Sequence, residues 1–335
     1  MSFFLPDPSP GQTPVHILTG FLGSGKTTLL NRLLRRPEMA DTAVIVNELG
    51  EVGIDHLLVE RVAGEMRLLE AGCVCCTVRS DLEDTLRTLY WQRAEGQIPA
   101  FRQVVIETTG IADPAPILQM LLRGGPASRN FRVGAVVAVV DAALGLSTLG
   151  RHRESQRQVA VADRLLIGKT DLAHDAAALT AALRALNARA PLLPAADFDG
   201  FPTEARWSDA PPPTACDHDH DHDHGDGHAH HHHDGHGAIA SLALSADAPL
   251  AWEPLARWLG TLRGRHGEKL LRYKGILDLQ GEGAPVVVHG VQHIAHPPVR
   301  LRGWPEGPRR SSLVFVLDGL PAAEIERDWR ALTNR

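Results

Sequence analysis

The chain has 335 residues, 44% of them hydrophobic, and a formal net charge of -6. That length suits two domains with separate cores, and the acidic balance offers no basic field to gather nucleic acid. No apolar run approaches the roughly 18 residues of a membrane span, and the opening MSFFLPDPSPGQTP lacks the basic and long apolar regions of a secretory signal, so a soluble cytoplasmic protein without a membrane or nucleic-acid partner is expected.

The first two hundred residues alternate β-branched runs with amphipathic stretches, the pattern of an α/β domain with a mainly parallel sheet. Strands are expected at 15–19, 43–47, 103–107, 133–141 and 163–168, and helices near 26–36, 80–95, 114–123 and 175–189. Directly after the first strand stands Gly20-Phe21-Leu22-Gly23-Ser24-Gly25-Lys26-Thr27-Thr28, with the G-x-x-x-x-G-K-[ST] spacing of a P-loop, as in P-loop NTPases. Its glycines let backbone amides wrap phosphates, Lys26 reaches the β and γ phosphates, and Thr27 can ligate Mg2+. In VVIETTG, Glu107 takes the position of an acid that manages the magnesium shell, and the Gly110 amide is placed to sense the γ-phosphate.

Base choice is expected from LLIGKTDL, where Asp171 can pair with the N1 and N2 donors of guanine while the Lys169 stem covers the ring. The usual guanine motif begins with Asn; here Gly168 stands in its place, which predicts weaker support for the loop or base.

Cys73, Cys75 and Cys76 crowd into Ala71-Gly72-Cys73-Val74-Cys75-Cys76, while Cys216 stands apart, which is poor material for a disulfide framework. Three thiols on a loop bent at Gly72 make a clamp for a soft metal such as zinc, cobalt or copper(I). Buried apolar packing or a redox pair would use the same residues.

From Pro211 the texture changes to a tract unable to bury apolar area, and residues 206–237 read as a flexible His/Asp-rich linker between domains at 1–205 and 238–335. Its histidines, His218, His220, His222, His224, His228, His230, His231, His232, His233 and His236, form a loose collector of metal ions; a solvated linker of biased composition is the plainer alternative. Periodicity returns over 240–246, 252–263, 269–279, 285–291 and 311–319, suggesting a smaller α+β domain with antiparallel strands. His289, His293 and His296 fall there and read first as structural residues.

Taken together, GFLGSGKTTLLN, NELGEVGIDHLLV, GCVCC, VRSDL, ETTGIADP, ADRLLIGKTDL, the His-rich insertion, RYKGIL and VHGVQH resemble the CobW-like metal-chaperone GTPases over nearly the whole chain. The resemblance implies GTP hydrolysis with Mg2+, a C-terminal domain that contributes to partner contacts, and Cys73, Cys75 and Cys76 as ligands for Zn2+ or Co2+. It also places Glu48 and Glu51 in a switch-like segment as secondary metal donors. The expected activity is a GTPase that delivers its metal to a metal-requiring client, as a monomer or weak oligomer. A metal-buffering protein with a vestigial nucleotide site, or a P-loop ATPase or kinase, are the alternatives.

Overall fold

The computed structural model describes residues 4–6, 11–47, 58–59, 67–68, 78–172, 176–202, 238–304 and 309–333. The first half runs β1 (Leu5–Pro6), β2 (Thr13–Thr19), α1 (Lys26–Leu34), β3 (Thr42–Asn47), β4 (Leu58–Val59), β5 (Arg67–Leu68), α2 (Val78–Ala94), β6 (Gln103–Thr108), α3 (Ala115–Leu122) and α4 (Pro126–Asn130). It continues through β7 (Phe131–Asp141), α5 (Gly145–Arg151), α6 (Arg153–Val161), β8 (Arg164–Gly168), α7 (Ala176–Leu186) and β9 (Leu192–Pro194). The remainder is β10 (Ile239–Ala246), α8 (Trp252–His266), β11 (Leu270–Leu277), β12 (Val286–Val291), β13 (Ile294–Ala295), β14 (Val299–Arg300), β15 (Ser311–Asp318) and α9 (Ala322–Thr333).

Six strands form one parallel sheet in the order β3-β6-β2-β7-β8-β9. Parallel strands covered on both faces need apolar residues in succession, and β2 and β6 are buried at every position. In β6, Val104 and Ile106 face Leu86 and Leu118 of α2 and α3, whereas Val105 faces the other way, into the cluster with Leu29 and Leu33 of α1. All five strands expected from the β-branched runs lie in this sheet. The helix α6, RESQRQVAV, has too short an apolar stripe to announce itself, because its polar side chains are engaged in contacts with distant segments.

The second sheet has the path β1-β14-β12-β11-β15-β10 with β13 beside β12, antiparallel except where β1 meets β14. Residues 1–6 were expected with the first domain; instead Leu5–Pro6 pairs with Val299–Arg300, and Phe4 packs edge-on against Trp252. The apolar ring of Phe4 gains more from that core than from solvent. Along β15, Leu313, Phe315 and Leu317 face α8 and α9, while Val316 turns to the opposite face and joins Leu271, Ala160 and Val161.

The antiparallel sheet therefore rests on α6 of the parallel-sheet half. Arg272 fixes that contact by donating to the Val161 carbonyl at 2.5 Å and pairing with Asp163 at 3.1 Å. Burial alone would raise the Asp163 carboxyl; the charges of Arg272 and Lys274, helped by the Val136 N–H, hold it well below the usual carboxylate range. No helix among the described residues is long and apolar enough to cross a membrane.

Candidate active site

The loop between β2 and α1 turns on three glycines with positive φ, Gly20 (140°), Gly23 (73°) and Gly25 (100°). Gly20 is obligatory for a second reason: a Cβ there would stand 2.3 Å from the Val139 carbonyl oxygen. Gly25 ends the loop and α1 starts at Lys26, so the unpaired amides of a nine-residue helix face the loop's interior. The Lys26 ammonium donates to the carbonyls of Gly20 at 2.8 Å and Phe21 at 3.3 Å. Burial lowers its pKa, against the opposing charge of Glu107.

Thr27 and Glu107, 80 residues apart in sequence, meet across the sheet: Thr27 Oγ1 donates to Glu107 Oε1 at 2.5 Å. Glu107 is buried at the end of β6, and its neighbour Thr108 donates to Thr19 Oγ1 at 3.0 Å. A hydroxyl and a carboxylate in contact beneath a phosphate loop are hard oxygen donors of the kind Mg2+ takes, one from each side of the cleft. Gly110 follows closely. A Cβ on it would lie 2.5 Å from the Leu22 nitrogen, so the segment after β6 rests directly on the P-loop backbone.

At the other end of the cleft, Lys169 adopts φ 55° and its ammonium pairs with Asp141 Oδ2 at 2.7 Å. Asp141 ends β7, and its Oδ1 accepts the N–H groups of Ala143 (2.8 Å) and Leu144 (3.0 Å). Burial alone would raise this carboxyl; the Lys169 hydrogen bond, the two amides and the Lys169 charge together hold it below the ordinary carboxylate range. Asp171 lies exposed in the turn Thr170–Leu172, which the Leu172 N–H closes onto the Lys169 carbonyl at 3.0 Å. At Gly168 a Cβ would stand 3.1 Å from the Ser24 carbonyl oxygen, so the P-loop approaches the space in which a side chain would start. A cavity of about 180 Å³ lies between these parts, lined among others by Phe21, Leu22, Asp141, Leu144, Gln158 and Lys169.

The structure thus brings Gly20, Gly23, Ser24, Gly25, Lys26, Thr27, Glu107 and Gly110 to one end of the cleft and Lys169 to the other. Asp141 and Gln158 escaped sequence reasoning. The first is a strand-terminal Asp followed by small residues, a recognisable turn signal; the second gave none. Phe21 also stacks on His152 with ring centroids 4.4 Å apart, a contact no spacing rule predicts.

Cys73, Cys75, Cys76, Glu48, Glu51, Cys216 and the histidines from His218 to His236 all lie outside the described residues. Among the described residues no group of three or more His, Cys, Asp or Glu is arranged to hold a metal. His289 is buried on β12, and burial together with the charges of Arg272 and Lys274 pushes its pKa well below the usual imidazole value. His293 and His296 each have Nδ1 against a backbone carbonyl, of Arg263 at 3.0 Å and Pro297 at 2.7 Å.

A parallel sheet whose strands end at a glycine phosphate loop, a Thr-carboxylate pair and a Lys-x-Asp turn defines a P-loop nucleotide-binding protein. The chain belongs to the CobW family. Residues 14–194 match the family model of the CobW/HypB/UreG nucleotide-binding domain, and residues 239–333 match that of the cobalamin synthesis protein CobW C-terminal domain. It is 33% identical over 328 residues to the zinc chaperone YjiA of Escherichia coli (strain K12), covering 95% of this chain and 98% of that one. It is 34% identical over 330 residues to the zinc chaperone CobW of Pseudomonas aeruginosa, covering 86% and 82% respectively. The crystal structure of the Zn(II)-bound YjiA GTPase from E. coli superposes with a TM-score of 0.68 at 32% identity, covering 96% of this chain and 99% of that one.

Proposed function

We propose that this chain is a cytoplasmic GTPase that binds zinc at Cys73, Cys75 and Cys76 and passes it to a metal-requiring client protein, with cobalt as the second candidate metal. The carrying observation is the contact of Thr27 with Glu107 beneath the P-loop, in a chain whose full length resembles a zinc-bound GTPase. The phosphates lie along the amides of Gly23 to Thr28, and the Lys26 ammonium exchanges its carbonyl partners Gly20 and Phe21 for β and γ oxygens. Thr27 and Glu107 would hold Mg2+, which when bound would neutralise charge developing on those oxygens. The Gly110 amide meets the γ-phosphate, and Asp171 pairs with the guanine edge while Lys169 borders the ring.

Support for coupling metal to nucleotide comes from register. Asn47 ends β3 opposite Thr108, one residue beyond Glu107, so β3 ends at the same edge of the sheet as the proposed Mg2+ carboxylate, and Glu48 is the next residue in sequence. Glu48 and Glu51 serve as secondary donors, and the histidines from His218 to His236 gather ions for the cysteine site. The protein works as a monomer or weak oligomer.

The test is zinc titration of the full chain with a non-hydrolysable GTP analogue and with GDP, repeated for Cys73→Ala, Cys75→Ala and Cys76→Ala. Zinc affinity should differ between nucleotide states by roughly five- to 150-fold, and the cysteine substitutions should remove the tight equivalent. Equal affinity in both states would reject a nucleotide-driven delivery cycle, and ATP turned over as fast as GTP would reject the role of Asp171.

A further inference from the structure

We propose that Asp318, in the C-terminal domain, is a positioning residue for GTP hydrolysis: acting through Arg157, it holds the Gly110–Asp113 segment against the P-loop. The inference rests on the GTPase reading above and adds to it a residue from the other sheet.

Helix α6 holds that segment at several points. The buried Gln158 amide donates from one nitrogen to the carbonyls of Gly110 (3.1 Å) and Ala112 (3.0 Å). One residue earlier, Arg157 Nη1 donates to Asp113 Oδ2 at 3.3 Å, while Asp113 Oδ1 accepts the Ala115 N–H at 2.9 Å and so starts α3. The other arm of the same guanidinium, Nη2, donates to Asp318 Oδ2 at 3.1 Å. Arg153 donates to Asp318 Oδ1.

Asp318 is well placed to be the fixed end of this chain of contacts. Its side chain is 7% exposed, against 33% for Arg157, and its own N–H is tied to the Lys269 carbonyl at 2.7 Å. A guanidinium is a planar fork, so fixing one nitrogen on Asp318 aims the other at Asp113. Without the Asp318 charge, a one-third exposed arginine has water as a competitor for Asp113, and of the two α6 side chains that hold the segment Gln158 alone stays fixed. The Gly110 backbone packs so closely on Leu22 that a Cβ there would stand 2.5 Å from the Leu22 nitrogen, and loss of the hold lets the segment drift off the P-loop. An amide that meets the γ-phosphate most closely in the transition state affects kcat, whereas contacts made equally in the ground state, such as those of the base turn, set binding.

The experiment is steady-state GTP hydrolysis over a range of GTP concentrations by the full chain carrying Asp318→Asn, Arg157→Gln or both, with Asp318→Glu as the conservative variant. Each single change should lower kcat about tenfold or more with KM little altered. The double variant should lose no more than the worse single, because both interrupt the same path from Asp318 through Arg157 to Asp113, and Asp318→Glu should recover part of the rate. A folded Asp318→Asn protein with the wild-type kcat, or losses that add in the double variant, would overturn the proposal.

Amide exchange over residues 108–113 in nucleotide-free protein supplies a readout independent of turnover: it should speed up in Asp318→Asn, and unchanged exchange would also overturn it. Lys26→Ala runs alongside. If it hydrolyses GTP as wild type does, the P-loop reading fails, and the exchange measurement still decides the role of Asp318.

Discussion

At the phosphate end of the cleft the loop presents backbone amides shaped by Gly20, Gly23 and Gly25, whereas at the base end Lys169 is oriented by an ion pair with Asp141 and the turn closes through the Leu172 N–H on the Lys169 carbonyl. The first arrangement is fixed by close packing. Gly20 and Gly110 leave no space for a Cβ against Val139 and Leu22. The second depends on two side chains, one of them 39% exposed, and on a glycine at 168 beside which the Ser24 carbonyl passes. Damage at the phosphate end should therefore cost reaction rate, and damage at the base end should cost affinity and selectivity.

The largest effect is expected from Lys26→Ala, which removes the cation that meets the charge developing on the transferred phosphate. Turnover should fall about 100- to 1000-fold, measured as phosphate release from GTP with Mg2+. Gly110→Ala should come close, since its Cβ would stand 2.5 Å from the Leu22 nitrogen and must push the segment off the P-loop. A loss on the order of 100-fold is expected for such a displacement. A Gly110→Ala enzyme of normal rate would mean that the segment is soft and that the contrast between the two ends is wrong.

The same contrast explains what could be read from sequence. The phosphate end was legible because a backbone-made site needs glycines at fixed offsets after a strand, and Gly20 to Thr28 supplies them contiguously. Thr27 and Glu107 were legible as separate motifs, and their contact followed from the parallel order in which β6 lies beside β2. Asp141 was hidden: it ends a strand 28 residues before Lys169, and only the neighbouring placement of β7 and β8 joins them. Gly168 read as a missing amide, a loss of support. In the structure, Lys169 is held from Asp141, and the Ser24 carbonyl oxygen lies 3.1 Å from where a Cβ at 168 would stand, a tight contact. Helix α6 was missed because Gln158 and Arg157 spend their polarity on Gly110, Ala112, Asp113 and Asp318, contacts that lie far away in sequence.

Asp141→Asn probes the base end. It keeps the shape of the turn cap and removes the charge that orients Lys169. A partly exposed ion pair contributes up to about 1 kcal/mol, so GTP affinity should weaken by roughly fivefold, with the rate at saturation nearly unchanged. Titration with labelled GTP and GDP checks the first part and turnover at saturating GTP the second. A fall in kcat equal to that of Gly110→Ala would erase the distinction between the ends.

The smallest effect on catalysis should come from His16, which lies on β2 well before the P-loop and serves as the control for both ends. Its Nδ1 accepts the Ala135 N–H at 2.9 Å, and its ring lies against Phe201 with centroids 4.9 Å apart. Burial, reinforced by the charge of Arg132 and opposed by that of Asp163, lowers its pKa from 6.5 to about 3. In the folded protein the ring stays neutral down to that pH, while in the unfolded chain it takes up a proton near pH 6.5. Unfolding therefore binds a proton between these limits, so the stability contributed by the neutral ring is complete above about pH 6.5 and is lost as the pH falls toward the folded value. The loss can reach about 1.4 kcal/mol per pH unit for a single group. Denaturant unfolding at about pH 7 and about pH 5 should show a steeper decline for wild type than for His16→Gln, while GTP affinity and turnover near neutrality remain those of the wild type. Parallel declines in the two proteins would show that His16 is not the group responsible, and a large loss of turnover in a folded His16→Gln protein would extend the tightly packed phosphate end back along β2 to this position.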